Sequence, residues 1–291
     1  MDTMQNTETQ NSIHPSANRL PLVGVVICSI LLVILYYPVL VLLVQDWIKL
    51  PDFSHGFLVP LVSLYLVWGK REDLATPPRP ANWGLLLLVF GLALLFFGRL
   101  AAEYFTQRLS ILVVIAGIVL FLLGRDHLRT VAFPLAFLVL MIPLPSILLQ
   151  KLTGPMQFLA SVCAANSLEM LGIPVLREGN IIHLSNTSLE VAEACSGIRS
   201  MISLFTLGVL FAYFTKKILW QRILLVLACL PITILVNAFR VSLTGVLAHY
   251  YGAAAAEGFF HEFSGYVLFM LAVVLFYGVS LLLSKLAPSQ K

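Results

Sequence analysis

The stretch VAEACSGIRSMISLF, Val191 to Phe205, sets a cysteine, a glutamate and an arginine at the head of an apolar run. Whether that run belongs to a soluble core or to a membrane span decides the fold, and composition gives the answer. Of the 291 residues, 59% are hydrophobic and only 11% are charged, with a mean hydropathy of +0.95. Such a chain lies far outside the range of soluble domains, so the bilayer is its solvent. The run opening at Met201 is then a membrane helix, and Cys195 stands at its doorstep.

Working outward from this run, apolar segments long enough or nearly long enough to span recur along the chain. They cover roughly Leu20–Val44, Phe57–Trp68, Trp83–Phe97, Leu109–Leu123, Val131–Leu149, Met201–Phe214, Ile218–Val236 and Tyr266–Leu283. The fold expected is an all-α polytopic membrane protein of about eight transmembrane helices. The second run is short and needs Phe53 to Gly56 as a first turn. The fifth carries Pro134, Pro143 and Pro145, which kink it or end it early. Residues 1–19 are polar with no basic leader and read as a disordered tail. Residues 20–284 form the transmembrane domain, and 285–291 a short second tail.

The net charge of +4 is first a topology signal, because Lys and Arg accumulate in cytoplasmic loops. With the N-terminus inside, eleven basic residues (Arg19, Lys70, Arg71, Arg79, Arg125, Arg129, Lys216, Lys217, Arg222, Lys285, Lys291) face the cytoplasm and seven face out. The bias places both termini in the cytoplasm. It accounts for the basic residues without a nucleic-acid partner. The outer segments are then Gln45–Gly56, Gly98–Arg108, Gln150–Ser200 and Asn237–Gly265.

The largest outer segment, residues 150–200, has its own anatomy. From Thr153 to Leu171 the residues Met156, Leu159, Cys163, Leu168 and Leu171 recur at near-helical spacing, as in an amphipathic helix at the outer interface. Beyond Gly172-Ile173-Pro174 the period becomes two. Ile182 and Leu184 face Leu189 and Val191 across Ser185-Asn186-Thr187-Ser188, a small β-hairpin that delivers Glu193 and Cys195 to the sixth span.

The polar residues at span ends each carry a plain reading and a functional one. Cys28 and Cys229 lie within apolar runs, where a cysteine is a small hydrophobe. A Cys163–Cys195 disulfide is the minority reading for two outer cysteines. Cys195 itself lies beside Ser196 and Gly197 at a helix N-terminus with Arg199 one turn on, and both dipole and cation favour a thiolate. On local sequence an incidental capping-region cysteine is an equal reading. Asn237, Arg240 and Thr244 share one face at the end of the seventh span, and an arginine at that depth is costly unless it meets a partner or water. Its plain reading is snorkelling to headgroups. His261 opens the eighth span; like His249, His183 and His55, it reads by itself as a headgroup contact.

Sidedness joins these fragments. Cys195, Arg240, His261 and His55 come from distant places, yet the basic-residue count sets all four on one side at span ends. A thiolate, a proton-transferring imidazole and an oxyanion-stabilising guanidinium suffice for acyl transfer. Glu193 orients His261 or caps the sixth helix. A transporter would hold its ionisable residues near mid-span in repeated broken helices, and no internal repeat is evident. HEFSG lacks the second histidine of a zinc protease. Ser196 and Ser264 have no GxSxG setting. A non-catalytic scaffold or transporter for exopolysaccharide or protein export is the alternative.

The motifs EACSGIRS (Glu193–Ser200), NAFR (Asn237–Arg240) and FFHEFSG (Phe259–Gly265), in that order, resemble those of the exosortases, with archaeosortases as archaeal relatives. SHGFLVP and MIPLPS strengthen the resemblance, which runs from about Asp52 to the last span. It implies a cysteine peptidase or transpeptidase core without a fused C-terminal soluble domain, lying in the bacterial inner membrane with its active site facing the periplasm. It also implies Cys195, Arg240 and His261 as the catalytic set, supported by Glu193, Ser196, Arg199, Asn237 and His55, with no metal and no cofactor. The partners implied are the lipid bilayer and membrane-anchored proteins bearing a C-terminal sorting tail: a Pro-Glu-Pro-type motif, a membrane helix and a basic cluster. In bacteria the family accompanies exopolysaccharide production.

Overall fold

The computed structural model describes residues 19–185, 187–191, 197–216, 218–252 and 259–286, with backbone alone for 19–22 and 259–264. The chain is mostly helical, and among the described residues six helices are long and apolar enough to cross a membrane: Val23–Lys49, Trp83–Leu100, Tyr104–Leu122, Ile198–Thr215, Leu219–Tyr251 and Gly265–Leu286. It is a multi-pass membrane protein.

Eight spans were expected, and two of them read differently in the structure. The second run is a helix of only 12 residues, α2 (Leu58–Gly69), preceded by a 3-10 segment at Pro51–Phe57. At 1.5 Å per residue it covers about 18 Å, short of the roughly 30 Å hydrocarbon core. The fifth run is broken. Helix α5 (Arg125–Phe137) tightens into a 3-10 turn at Leu138–Met141, and α6 (Ser146–Met170) starts after Pro143 and Pro145. The two arms are bent by 78°, and counted as one broken span they would make a seventh crossing. Prolines remove a backbone donor and disfavour helix in the preceding residue, which explains the break.

The helices divide into two compact units. One takes α1 (Arg19–Lys49) as far as Leu43, together with Pro60–Val139. Its centre is the antiparallel pair α3 (Trp83–Leu100) and α4 (Tyr104–Leu122). Gly84, Gly91 and Gly98 recur every seven residues on the face of α3 that meets α4; a Cβ at Gly84 would stand 2.2 Å from the Phe121 nitrogen. Small residues let membrane helices approach at backbone distance where lipid supplies no hydrophobic drive. Glu103 caps α4 by accepting from the Phe105 and Thr106 amides at 3.0 and 2.5 Å. Burial raises its carboxyl pKa, but those bonds and Arg108 outweigh it and hold the value below the usual range.

The other unit takes Val44–Val59 and the chain from Leu140 onward. After α6 come three antiparallel strands in the order β1-β2-β3: β1 (Val175–Glu178), β2 (Ile181–Leu184) and β3 (Ser188–Glu190). The expected hairpin is thus a three-stranded sheet, with Ile182 opposite Leu189 and the unforeseen β1 pairing Leu176 with His183. Gly179, at φ +64, takes the first position of the two-residue turn between β1 and β2, where a hairpin turn of this kind needs positive φ.

The inner face of the sheet, Ile182, Leu184 and Val191, packs on α6 and α9 (Cys229–Tyr251) through Ala160, Ala164, Leu168, Val241 and Ala248. The buried stripe of α6 is therefore Met156, Ala160, Ala164 and Leu168. Leu159 and Leu171, expected on that stripe, are exposed: the buried line follows the small residues Ala160 and Ala164 at every fourth position, and Leu171 is the C-cap beyond the helix end at Met170. Cys163 is a free, half-buried thiol, which removes the disulfide reading.

On its other side α9 meets α7 (Ile198–Thr215), α8 (Leu219–Leu227) and α10 (Phe259–Leu286). Leu204, Leu225, Cys229, Ile232, Leu268, Ala272 and Phe276 form that core. Far from the start of α7, Lys216 donates to the Ser280 carbonyl at 2.6 Å and Gln221 to the Leu283 carbonyl at 3.0 Å, tying the end of α10 to the α7–α8 turn. Helices α8 and α9 form one apolar stretch of 33 residues. Asn237 and Arg240, expected at the outer end of the seventh span, instead sit near the middle of α9, which runs on to Tyr251.

Candidate functional site

Three of the sequence motifs meet around a cleft inside the second unit. Its polar wall comes from α9, where Thr233, Asn237 and Arg240 follow at helical spacing. Gly197 and Ser200 from the start of α7 face them, and Gly265, Leu268 and Ala272 from α10 close the remaining side with Val236. Asn237 is buried and Arg240 half-buried. Thr233 is bonded within its own helix, its hydroxyl donating to the Cys229 carbonyl at 2.7 Å, so the groups that give the cleft its character are the carboxamide and the guanidinium.

Gly197 explains how the α7 motif reaches α9. It is the N-cap of α7 in the left-handed conformation, φ 76°, and a Cβ there would stand 3.1 Å from Asn237 Cβ and Cγ and 3.3 Å from Thr233 Cγ2. Any other residue would be strained by the backbone and crowded by the neighbouring helix. Glycine therefore lets the turn that follows Ser196 sit directly on the Asn237 face. Gly265 on α10 is uncrowded: a Cβ there would stand 4.0 Å from Arg240 Nη2, an ordinary contact that sets the guanidinium beside that helix.

The expected site residues divide accordingly. Arg240 and Asn237 line the cleft. Cys195, Glu193 and Ser196 lie outside the described residues, with Gly197 the first described residue after them. For His261 the backbone is described, in the first turn of α10 and one turn before Gly265.

Arg199 turns away to Asp52, Nε to Oδ1 3.3 Å, tying α7 to the 3-10 segment Pro51–Phe57. His55 sits in that segment with Nε2 3.2 Å from the Leu140 carbonyl and its Nδ1 buried without a well-aligned partner among the described residues. Burial pushes the His55 pKa below 6.5, against the pull of the Leu140 and Asp52 carbonyls, so the ring is neutral at pH 7. His55 does not line the cleft. Gly56, next to it, packs on the Trp47 ring, whose Nε1 donates to the Met141 carbonyl at 2.8 Å. The SHGF and MIP segments are thus fastened through Trp47.

Thr233, Ser200, Gly197 and Gly265 were not singled out from sequence. Thr233 lies four residues before Asn237 on the same helical face, a signal hidden once the span was taken to end at Val236. The two glycines sit within quoted motifs, but their value lies in what packs against them.

No curated protein and no solved structure matches the chain. The model of a family described as transmembrane exosortase matches residues 47–278, which takes in the Trp47 anchor, the 3-10 segment, the sheet and every helix that lines the cleft. The chain therefore belongs to the transmembrane exosortase family.

Proposed function

We propose that the protein is a membrane-embedded cysteine peptidase or transpeptidase. It would cleave surface proteins at a C-terminal Pro-Glu-Pro-type sorting signal through a Cys195 acyl intermediate. The observation that carries the reading is the cleft itself: Arg240 and Asn237 lie between the turn that follows Cys195-Ser196 and the helix that opens with His261.

In the reaction the Cys195 thiolate attacks the scissile carbonyl, and the negative charge moves to the carbonyl oxygen. Arg240 meets that charge as a planar guanidinium donor, with the Asn237 carboxamide beside it. His261 gives a proton to the departing amine as the carbon–nitrogen bond breaks, leaving a thioester. It then takes a proton from the acceptor nucleophile, whose attack releases the thiolate. Glu193 and Ser196 flank the nucleophile, Arg199 holds the start of α7 to Asp52, and His55 serves the packing of its own segment. Cytoplasmic termini, an inner-membrane location and a cleft facing the periplasm belong to the same reading; the basic-residue bias carries the sidedness where α2 and the α5–α6 pair each complete a crossing.

The test is a co-produced reporter ending in the motif, a membrane helix and a basic cluster. Cys195→Ala and Arg240→Ala should each leave it uncleaved at wild-type enzyme abundance. Full cleavage by Cys195→Ala overturns the proposal.

A further inference from the structure

The edge strand of the sheet is the last element before the Cys195 segment in the chain. In the order β1-β2-β3, strand β3 has a neighbour on one side only. Its register pairs Ile182 with Leu189 and His183 with Ser188. The Leu184 amide donates to the Thr187 carbonyl and the Val191 amide to the Asn180 carbonyl, so residues 187, 189 and 191 turn their backbone groups toward β2. In an antiparallel ladder these groups alternate. The N–H and C=O of Ser188 and Glu190 therefore point out of the sheet, both residues are exposed, and no bond joins those groups to a described residue outside the sheet.

We infer that this edge is a docking strand for an extended polypeptide, the substrate segment flanking the scissile bond, held main chain to main chain by Ser188 and Glu190. The occupant follows from continuity. Glu190 precedes Cys195 by five residues, which bounds their separation at about 17 Å whatever path the chain takes, so a peptide laid along β3 has its next residues within reach of the nucleophile. This placement rests on Cys195 being the acyl-forming residue; the open edge does not depend on it.

Strand addition takes affinity from backbone hydrogen bonds, which any sequence offers, and leaves selection to alternate side chains. The inner face of the sheet is fixed on α6 and α9, so the edge is presented by a rigid backing. A strand of three residues with an exposed charge at Glu190 is also short enough to resist indiscriminate pairing.

The test separates docking from catalysis. In a protein carrying both Cys195→Ala and Glu190→Cys, the reporter receives a single cysteine, moved one position at a time through the segment before its membrane helix. Disulfide capture should rise at every second position. Capture that is absent, or equal at all positions, overturns the inference, as does Glu190→Cys pairing with a second enzyme copy in place of the reporter.

In the otherwise native enzyme, Glu190→Pro removes one outward N–H and leaves the ladder to β2 intact. It should slow reporter cleavage about tenfold with the Cys195 alkylation rate unchanged. Native cleavage by Glu190→Pro also overturns the inference. If that variant fails to accumulate, capture decides. Should Cys195→Ala still cleave, the acyl-enzyme reading falls, yet periodic capture would stand.

Discussion

The two faces of α9 are built on opposite rules. Toward α6 and the sheet it is dry: Val241, Ala248 and Leu168 are buried, and Gly245 lets Leu168 approach until a Cβ would lie 2.7 Å from its Cδ1. Toward α7 and α10 the same helix carries Thr233, Asn237 and Arg240, which line a cleft with Gly197 and Gly265 opposite them. Both faces use a missing side chain for close approach, Gly245 against apolar Leu168 and Gly197 against polar Asn237, and only the second contact borders a cleft. A helix that is anchored on one side can carry a polar group within the membrane on the other, where an arginine is tolerated only beside a partner, protein or water.

The comparison breaks most sharply at Arg240. Arg240→Lys keeps the charge and loses the planar donor fork, and a lost oxyanion donor costs about 10²–10³-fold in rate. Reporter cleavage should fall by that order with thermal stability nearly unchanged. Gly245→Leu on the dry face should do the reverse. Overpacking there costs about 1–3 kcal/mol, seen as lower abundance and melting temperature, while the molecules that remain folded cleave normally. If both variants lost activity in proportion to stability, the two faces would not be functionally distinct.

Gly197→Ala tests the hinge between them. A non-glycine residue in the left-handed region costs about 1–2 kcal/mol, and its Cβ would press on Asn237. Cleavage should drop about tenfold, more than stability explains, because the strain falls on the turn that follows Cys195-Ser196. An Asn237→Ala companion change should restore part of the loss by removing the contact, though without the carboxamide it should not restore all of it.

What the sequence disclosed follows the same division. Composition and long apolar runs located both ends of α3 and α7 and the far ends of α4 and α10 within three residues, since a helix in lipid must satisfy its own backbone and announces itself by length, while the more polar first turns of α4 and α10 were missed. The three motifs named the cleft's contributors. Depth along α9 was not legible: Asn237 and Arg240 lower local hydropathy, so Val236 read as an end, whereas the helix continues because its polar face is turned to protein. Strand β1 was hidden because VLRE carries its apolar and polar residues on both faces, with Arg177 lying inward over Phe158 at 4.9 Å.

The smallest effects belong to the 3-10 segment. The Arg199–Asp52 pair is partly exposed, and such pairs contribute about 0–1 kcal/mol, so Arg199→Ala should cleave at close to the native rate. If Arg199 instead activated Cys195, the variant would lose orders of magnitude and slow alkylation of the thiol with it. His55 gives the accompanying pH signature. Its folded pKa lies below 6.5, so the unfolded chain binds the proton more readily, and stability is full above 6.5 and lost as pH falls below it through the folded value. His55→Gln should flatten that acid-side slope in a melting-temperature series while leaving the pH profile of cleavage in place. A change in the cleavage profile with no change in melting would instead move His55 from packing into the proton-transfer steps.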